Sequence, residues 1–133
     1  MALEPGLVGE MEVLVDENET ARNYGGETLP PVLSTPRMIM YLERTCHLAV
    51  LSTLADGQST VGILVHVRHL ASTPVGMKVR FRGELLEVDR RRLRFKVEAW
   101  DDVEKIAEGE HERFIIDWEK FYARLAEKQT KIG

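Results

Sequence analysis

The sequence predicts an α+β domain: an antiparallel sheet of about five strands wrapped around one long central helix, with a short helix after the last strand. Three observations predict it. The segment after Pro36 is apolar nearly all round a helical circumference, the mark of a helix buried in a core. From Val61 to Ile116 the apolar period changes to two. The breaks between these alternating runs are short and polar, which favours an antiparallel meander over crossover helices.

In chain order, Met11, Val13 and Val15 alternate with Glu12 and Leu14 and predict a first short strand. Residues 16–31 are polar, carry Gly25-Gly26 and Pro30-Pro31, and predict an irregular loop. Ser34 and Thr35 can cap a helix, Thr35 standing at the expected N-cap, and Pro36 suits the first helical position. The helix is expected from Pro36 to Ala55, before the Asp56-Gly57 turn. Only Glu43, Arg44, Thr45 and His47 interrupt its apolar middle. Val61, Ile63, Val65 and Val67 predict a strand that ends at His69, and Thr73-Pro74-Val75-Gly76 a turn. Val79, Phe81 and Leu85 predict a third strand, Leu93, Phe95, Val97 and Ala99 a fourth, and Lys105–Ile116 a long fifth. Asp117 can cap a last helix whose Trp118, Phe121, Tyr122 and Leu125 share one face.

The whole chain, 1–133, is expected to form one domain with a full core, without internal repeats. Its 44% hydrophobic content and net charge of −4 exclude disorder as the main state and argue against a nucleic-acid partner. No apolar run approaches the ~18–20 residues of a membrane span, and the N-terminal stretch does not read as a signal peptide. A lone cysteine, Cys46, rules out an intramolecular disulfide and fits a reducing, cytoplasmic setting. The sheet keeps open edges, which pairing into a dimer would cover.

Few residues can carry chemistry. Glu43 is a carboxylate in the middle of an apolar helix, costly to bury, so it faces a cleft, waits for a partner, or is a structural glutamate that snorkels or is salt-bridged to Arg44 or Arg68. Thr35 at a helix start is ordinarily structural, yet free N–H groups there can also receive an anion or oxyanion. His66 and His69, three apart on a strand, point to opposite faces and cannot share a metal, so no metal site is expected. His69 falls on the side of Val61, Ile63, Val65 and Val67, expected to face the helix and Glu43. His47 and Cys46, adjacent on a helix, point apart. Gly109, His111 and Arg113 share a face; there Gly109 would admit a ligand or a second backbone, and Arg113 would bind or pair with Glu110 or Glu112. His111 reads as an ordinary half-exposed histidine. Eight basic against three acidic residues between Lys78 and Lys96, with Arg90-Arg91-Arg92 at the tip, make a basic hairpin that could rest on phosphates but reads first as a solvated surface.

Taken together these residues resemble one family. Leu33-Ser34-Thr35-Pro36-Arg37-Met38 with Glu43, Ser59-Thr60-Val61-Gly62 with Val67-Arg68-His69-Leu70-Ala71-Ser72-Thr73-Pro74-Val75-Gly76, and Ile106-Ala107-Glu108-Gly109-Glu110-His111-Glu112-Arg113 are similar to the helix start, central strand and last strand of fluoroacetyl-CoA thioesterase-like proteins of the hot-dog fold. The separations agree as well: 8 residues from Thr35 to Glu43, 26 to His69 and 44 to Arg113. The resemblance implies a hot-dog homodimer, or a higher oligomer, with sites at the subunit interface. It implies a catalytic set of Thr35, Glu43 and His69, with Gly62 and Arg113 placing the acyl group, and no cofactor beyond the coenzyme A of the substrate. The implied activity is hydrolysis of a small acyl-CoA thioester. One departure counts against fluoroacetyl-CoA itself: the fluoroacetyl-specific enzyme has a lid with two phenylalanines, and the matching segment here, Tyr24-Gly25-Gly26-Glu27-Thr28-Leu29-Pro30, has none, with Leu29 in one such place. The competing reading is a non-catalytic hot-dog module that binds an acyl-CoA or another apolar ligand, distinguished by ligand-induced thermal stabilisation without product.

Overall fold

The computed structural model describes residues 2–132. Strand β1 is Val8–Leu14, followed by a 3₁₀ turn, Glu17–Glu19, and a short helix α1, Ala21–Gly25. The long helix α2 is Thr35–Leu51, and β2 (Gln58–His69), β3 (Lys78–Asp89), β4 (Arg92–Trp100), β5 (Lys105–Asp117) and α3 (Trp118–Gln129) complete the chain. The expected element order holds, except that the loop 16–31 contains α1 and the 3₁₀ turn, both opened by side-chain caps from Asp16 and Thr20.

Alternation placed the core correctly where the sheet is continuous. Val79, Phe81, Leu85, Leu93, Phe95, Val97 and Ala99 are all fully buried against α2, which lays Met38, Leu42, Cys46 and Val50 across them. The helix comes very close to the sheet: a Cβ on Gly9 would run into the Thr45 carbonyl, and Gly83, paired with Gly9, lies under Cys46. Burial pushes the Cys46 thiol up to about 12, so it is a packing group rather than a nucleophile.

Four expectations are corrected. The sheet is antiparallel with order β1-β3-β4-β5-β2, so the meander covers only β3, β4 and β5. β2 pairs with β5 at one edge, and the segment leading to β3 crosses the end of the sheet. It crosses beneath the start of α2, where Leu33 N–H donates to the Thr73 carbonyl and Val32 bridges Pro74.

The second correction concerns α2. It is not buried all round: Met40, Arg44, Leu48 and Leu51 form an exposed stripe, because one sheet covers only one side of a helix. It also ends at Leu51, with Ser52 as its C-cap, rather than at Ala55. Third, the N-cap is Ser34, whose Oγ accepts from the Arg37 N–H at 3.3 Å; Thr35 is the first helical residue and its hydroxyl is free for other work.

Fourth, Asp117 precedes α3 but makes no side-chain cap; its carboxylate pairs with Arg91 at 3.1 Å instead. The apolar face of α3 is also open, with Trp118, Tyr122 and Leu125 exposed and Trp118 stacked on Tyr122.

Candidate active site

Two clusters form, one at the start of α2 and one near its middle. In the first, Thr35 Oγ1 lies 2.8 Å from His69 Nδ1. The pairing follows from the crossing segment: β2 ends at His69 just as the chain turns under the helix, so the last residue of a strand meets the first residue of a helix. His69 Nε2 is buried and has no hydrogen-bond partner among the described residues. Burial lowers the His69 pKa, with the Ala71 backbone acting in the opposite direction. The pair can therefore hold a neutral imidazole with one nitrogen tied to a hydroxyl and the other turned inward.

The second cluster surrounds Glu43. Its Oε1 lies 3.5 Å from Arg113 Nη1 and 3.9 Å from His111 Nε2, and its side chain keeps 37% of its exposure. Glu43 therefore faces open space and is already paired, with Arg113 and not with the expected Arg44 or Arg68. Gly62 makes this possible, since a Cβ there would collide with Glu43 Oε1. Arg113 is buried, not a surface residue paired with Glu110 or Glu112; those two glutamates take Arg94 and Arg92. Burial lowers the Arg113 pKa and the Glu43 charge opposes the shift. Gly109 admits a second backbone, that of His66 and Val67 on β2.

A bulge in β2 decides which residues face Glu43. The β2–β5 register shifts between Gly62 and Leu64. Before the shift Thr60 and Gly62 lie opposite Ile115 and Arg113, on the helix side; after it Val65, Val67 and His69 lie opposite His111, Gly109 and Ala107, on the same side. One extra residue reverses the alternation, so Val61 and Ile63 do not share the face of His69, although Val65 and Val67 do.

Three polar residues of the second cluster were not legible as such. His111 is 1% exposed rather than half-exposed. Its Nδ1–H donates to the Leu64 carbonyl at 2.8 Å, because Nε2, 3.2 Å from Arg113 Nη1, must accept from a group that only donates. Thr60 Oγ1 accepts from Arg113 Nε at 2.7 Å, and the Thr60 carbonyl accepts from Nη2 at 3.0 Å. His47 Nδ1 lies 2.6 Å from the same Thr60 hydroxyl. Spacing carried a signal for each: His111 is two residues from Arg113, Thr60 two before Gly62, and His47 four after Glu43 on the helix.

Thr35 and Glu43 are eight residues apart on one helix, about 12 Å along its axis. One copy of the chain thus brings Thr35 to His69 and Glu43 to Gly62 and Arg113, but leaves the two groups apart; Thr35 bonds His69, not Glu43. The tip of the basic hairpin is partly paired, Arg92 with Glu87 and Asp89 of the hairpin and Glu112 of β5, and Arg91 with Asp117 at the end of β5.

Comparison with known proteins places this arrangement. The family described as fluoroacetyl-CoA-specific thioesterase matches residues 15–119, a span that takes in both clusters. The chain belongs to the fluoroacetyl-CoA-specific thioesterase family. It is 34% identical over 122 residues, 88% of each protein, to the fluoroacetyl-CoA thioesterase of Streptantibioticus cattleyicolor. A solved structure of a fluoroacetyl-CoA thioesterase is 32% identical, superposes with a TM-score of 0.89, and is matched over 96% of this chain and 98% of that one. A hot-dog-like protein from Thermanaerovibrio acidaminovorans, 22% identical, superposes with a TM-score of 0.85 over 93% of this chain and 91% of its own. This family member therefore has the hot-dog fold.

The histidines of the site make stability fall with acid. His47, His69 and His111 all have pKa values lowered by burial. As pH drops below ~6.5, the ordinary histidine value, the unfolded chain takes up protons that the folded chain still refuses, so folding loses free energy until the lowered folded values are reached. The midpoint of urea unfolding is expected to fall between pH 7 and about pH 5, above the range where carboxylates titrate. A midpoint constant over that window would contradict the burial of these rings.

Proposed function

We propose that the protein is a thioester hydrolase that cleaves a small acyl-CoA to the free acid and coenzyme A. The observation that carries this reading is the joint presence of a Thr35–His69 pair at 2.8 Å and a half-open Glu43 beside Arg113, in a chain of this family. Glu43 acts on the thioester carbonyl as nucleophile or through a water as general base. Gly62 leaves room for the acyl end beside Glu43, and Arg113 orients it. The proton that the attacking water loses is passed to the departing thiolate by way of His69, which is tied to Thr35. The reaction needs no cofactor, since coenzyme A arrives with the substrate. The matching lid segment lacks phenylalanine, which favours an acyl group other than fluoroacetyl.

The working unit in this reading is a homodimer built from two single-domain chains in the cytoplasm. Ile63, Leu64 and Val65 on the open β2 edge and Met40, Leu48 and Leu51 on α2 present an apolar surface of the kind that pairs. A second copy on that surface would close the open side of Glu43 and complete the site. The setting fits a substrate carried by coenzyme A and a single buried free cysteine; among the described residues no helix is long and apolar enough to cross a membrane.

Thiol release from a panel of short-chain acyl-CoAs tests the function. The parent is expected to release coenzyme A, His69→Ala to slow release by roughly 10²-fold or more, and the native mass to be at least twice 15.2 kDa. Ligand-induced thermal stabilisation without thiol release would favour a binding module instead.

A further inference from the structure

Arg113 carries its donors on a rigid plane, and each edge of that plane is engaged. Nε and Nη2 go to the hydroxyl and carbonyl of Thr60, while Nη1 faces Glu43 and His111. The direction of the remaining bond follows from what Thr60 still has to place. An arginine only donates, so Thr60 Oγ1 accepts from Nε, and its hydroxyl hydrogen, in a buried residue, needs an acceptor of its own. The group waiting for it is His47 Nδ1, 2.6 Å away on α2, one turn beyond Glu43. The chain of donors runs Arg113 to Thr60 to His47, and it requires a neutral His47 with its hydrogen on Nε2. Burial and the Arg113 charge both lower the pKa of His47, in keeping with that state. Thr60 is buried, so with His47 in place its hydroxyl hydrogen depends on a protein acceptor.

We propose that His47, acting through the Thr60 hydroxyl, is a positioning residue that fixes the Arg113 guanidinium beside Glu43. Removing the acceptor on His47 frees the Thr60 hydroxyl to turn, and the Nε bond to Arg113 then competes with other orientations. Arg113 keeps its charge and its bond to the Thr60 carbonyl but loses a defined direction. His47 touches neither Glu43 nor the substrate in this scheme.

The catalytic part of this inference rests on the proposed thioesterase reading, so two measurements are paired. The first needs no activity: solvent exchange of the Arg113 Nε–H, followed by nitrogen-15 spectroscopy, in the parent, His47→Leu and His47→Asn. The side-chain oxygen of Asn can stand where Nδ1 of histidine stands. Protection of the Nε–H is expected in the parent and the Asn variant, with exchange at least tenfold faster in the Leu variant. Equal protection in all three overturns the proposal, whatever the protein hydrolyses. The second is acyl-CoA hydrolysis. His47→Leu is expected to lower kcat roughly tenfold, what one hydrogen bond to a charged group supplies, with KM nearly unchanged and with most of the rate restored in His47→Asn. Thr60→Val is expected to lose as much, and the double variant no more than either single one. Full activity in His47→Leu, or additive losses in the double variant, also overturns it. Spectra of the α2 amides report whether each variant has kept its fold.

Discussion

Replacing Glu43 with Gln is expected to slow thioester hydrolysis by roughly 10²–10⁴-fold, the range a positioned acid or base contributes. Glutamine has nearly the same shape, so it fits the space that Gly62 leaves beside Glu43 Oε1. It removes the negative charge, the ability to accept a proton from water and the ability to attack a carbonyl. The loss should fall on kcat and on kcat/KM together, with KM changing little, because the interaction is made in the transition state rather than with the resting substrate. Stability is expected to change much less than rate. Glu43 is half-open, and Arg113 keeps its two bonds to Thr60 and its contact with His111 when the carboxylate is gone. Steady-state kinetics on the best acyl-CoA of the panel, with a thermal melt of the same preparation, separates the two effects. A Gln variant that hydrolyses within about threefold of the parent would remove Glu43 from the mechanism.

The largest effect on stability is expected at Phe95. Its ring is fully buried in the middle of the sheet, on the strand β4, paired with Leu85 on one side and His111 on the other. Truncating a phenylalanine in such a place costs about 3–5 kcal/mol, from lost transfer free energy and from the cavity left behind. A domain of this size is stable by about 5–15 kcal/mol in total, so Phe95→Ala removes at least about a fifth of it. The urea midpoint should fall accordingly with little change in slope. The ring also lies against that of His111, with centroids 6.4 Å apart, so the cavity opens beside a residue that holds the β2 bulge. Activity should therefore fall even at temperatures where the variant is folded. Phe114→Ala, at a 40% exposed position one residue from Arg113 on the opposite face, is the control and should cost far less.

Much of this fold can be read from local pattern. Period-two alternation at Val79, Phe81, Leu93, Phe95 and Val97 needs only a sheet with one buried face, and those residues are buried. The helix start at Ser34-Thr35-Pro36 is written in three residues, and its cap needed only the choice between two neighbours. Glu43 stood out because an apolar helix rarely keeps a carboxylate without a reason, and Arg113 because it shared a face with Gly109 and His111.

What the sequence by itself determined is therefore the kind and order of the elements, the buried face of each regular strand, and the residues worth watching. Tertiary structure alone decided their company. Pairing of β2 with β5 rather than β3 sends the chain beneath the start of α2 and brings His69 to Thr35. The bulge between Gly62 and Leu64 reverses the parity of the strand and so puts His69 on the helix side, and no alternation pattern can announce an extra residue whose place is set by a neighbouring strand. The burial of His111 and the engagement of Thr60 and His47 follow from one long guanidinium entering from β5. Local periodicity reports which way a side chain points relative to its own backbone; which partners it meets depends on contacts made tens of residues away, and those exist only once the sheet has closed around the helix.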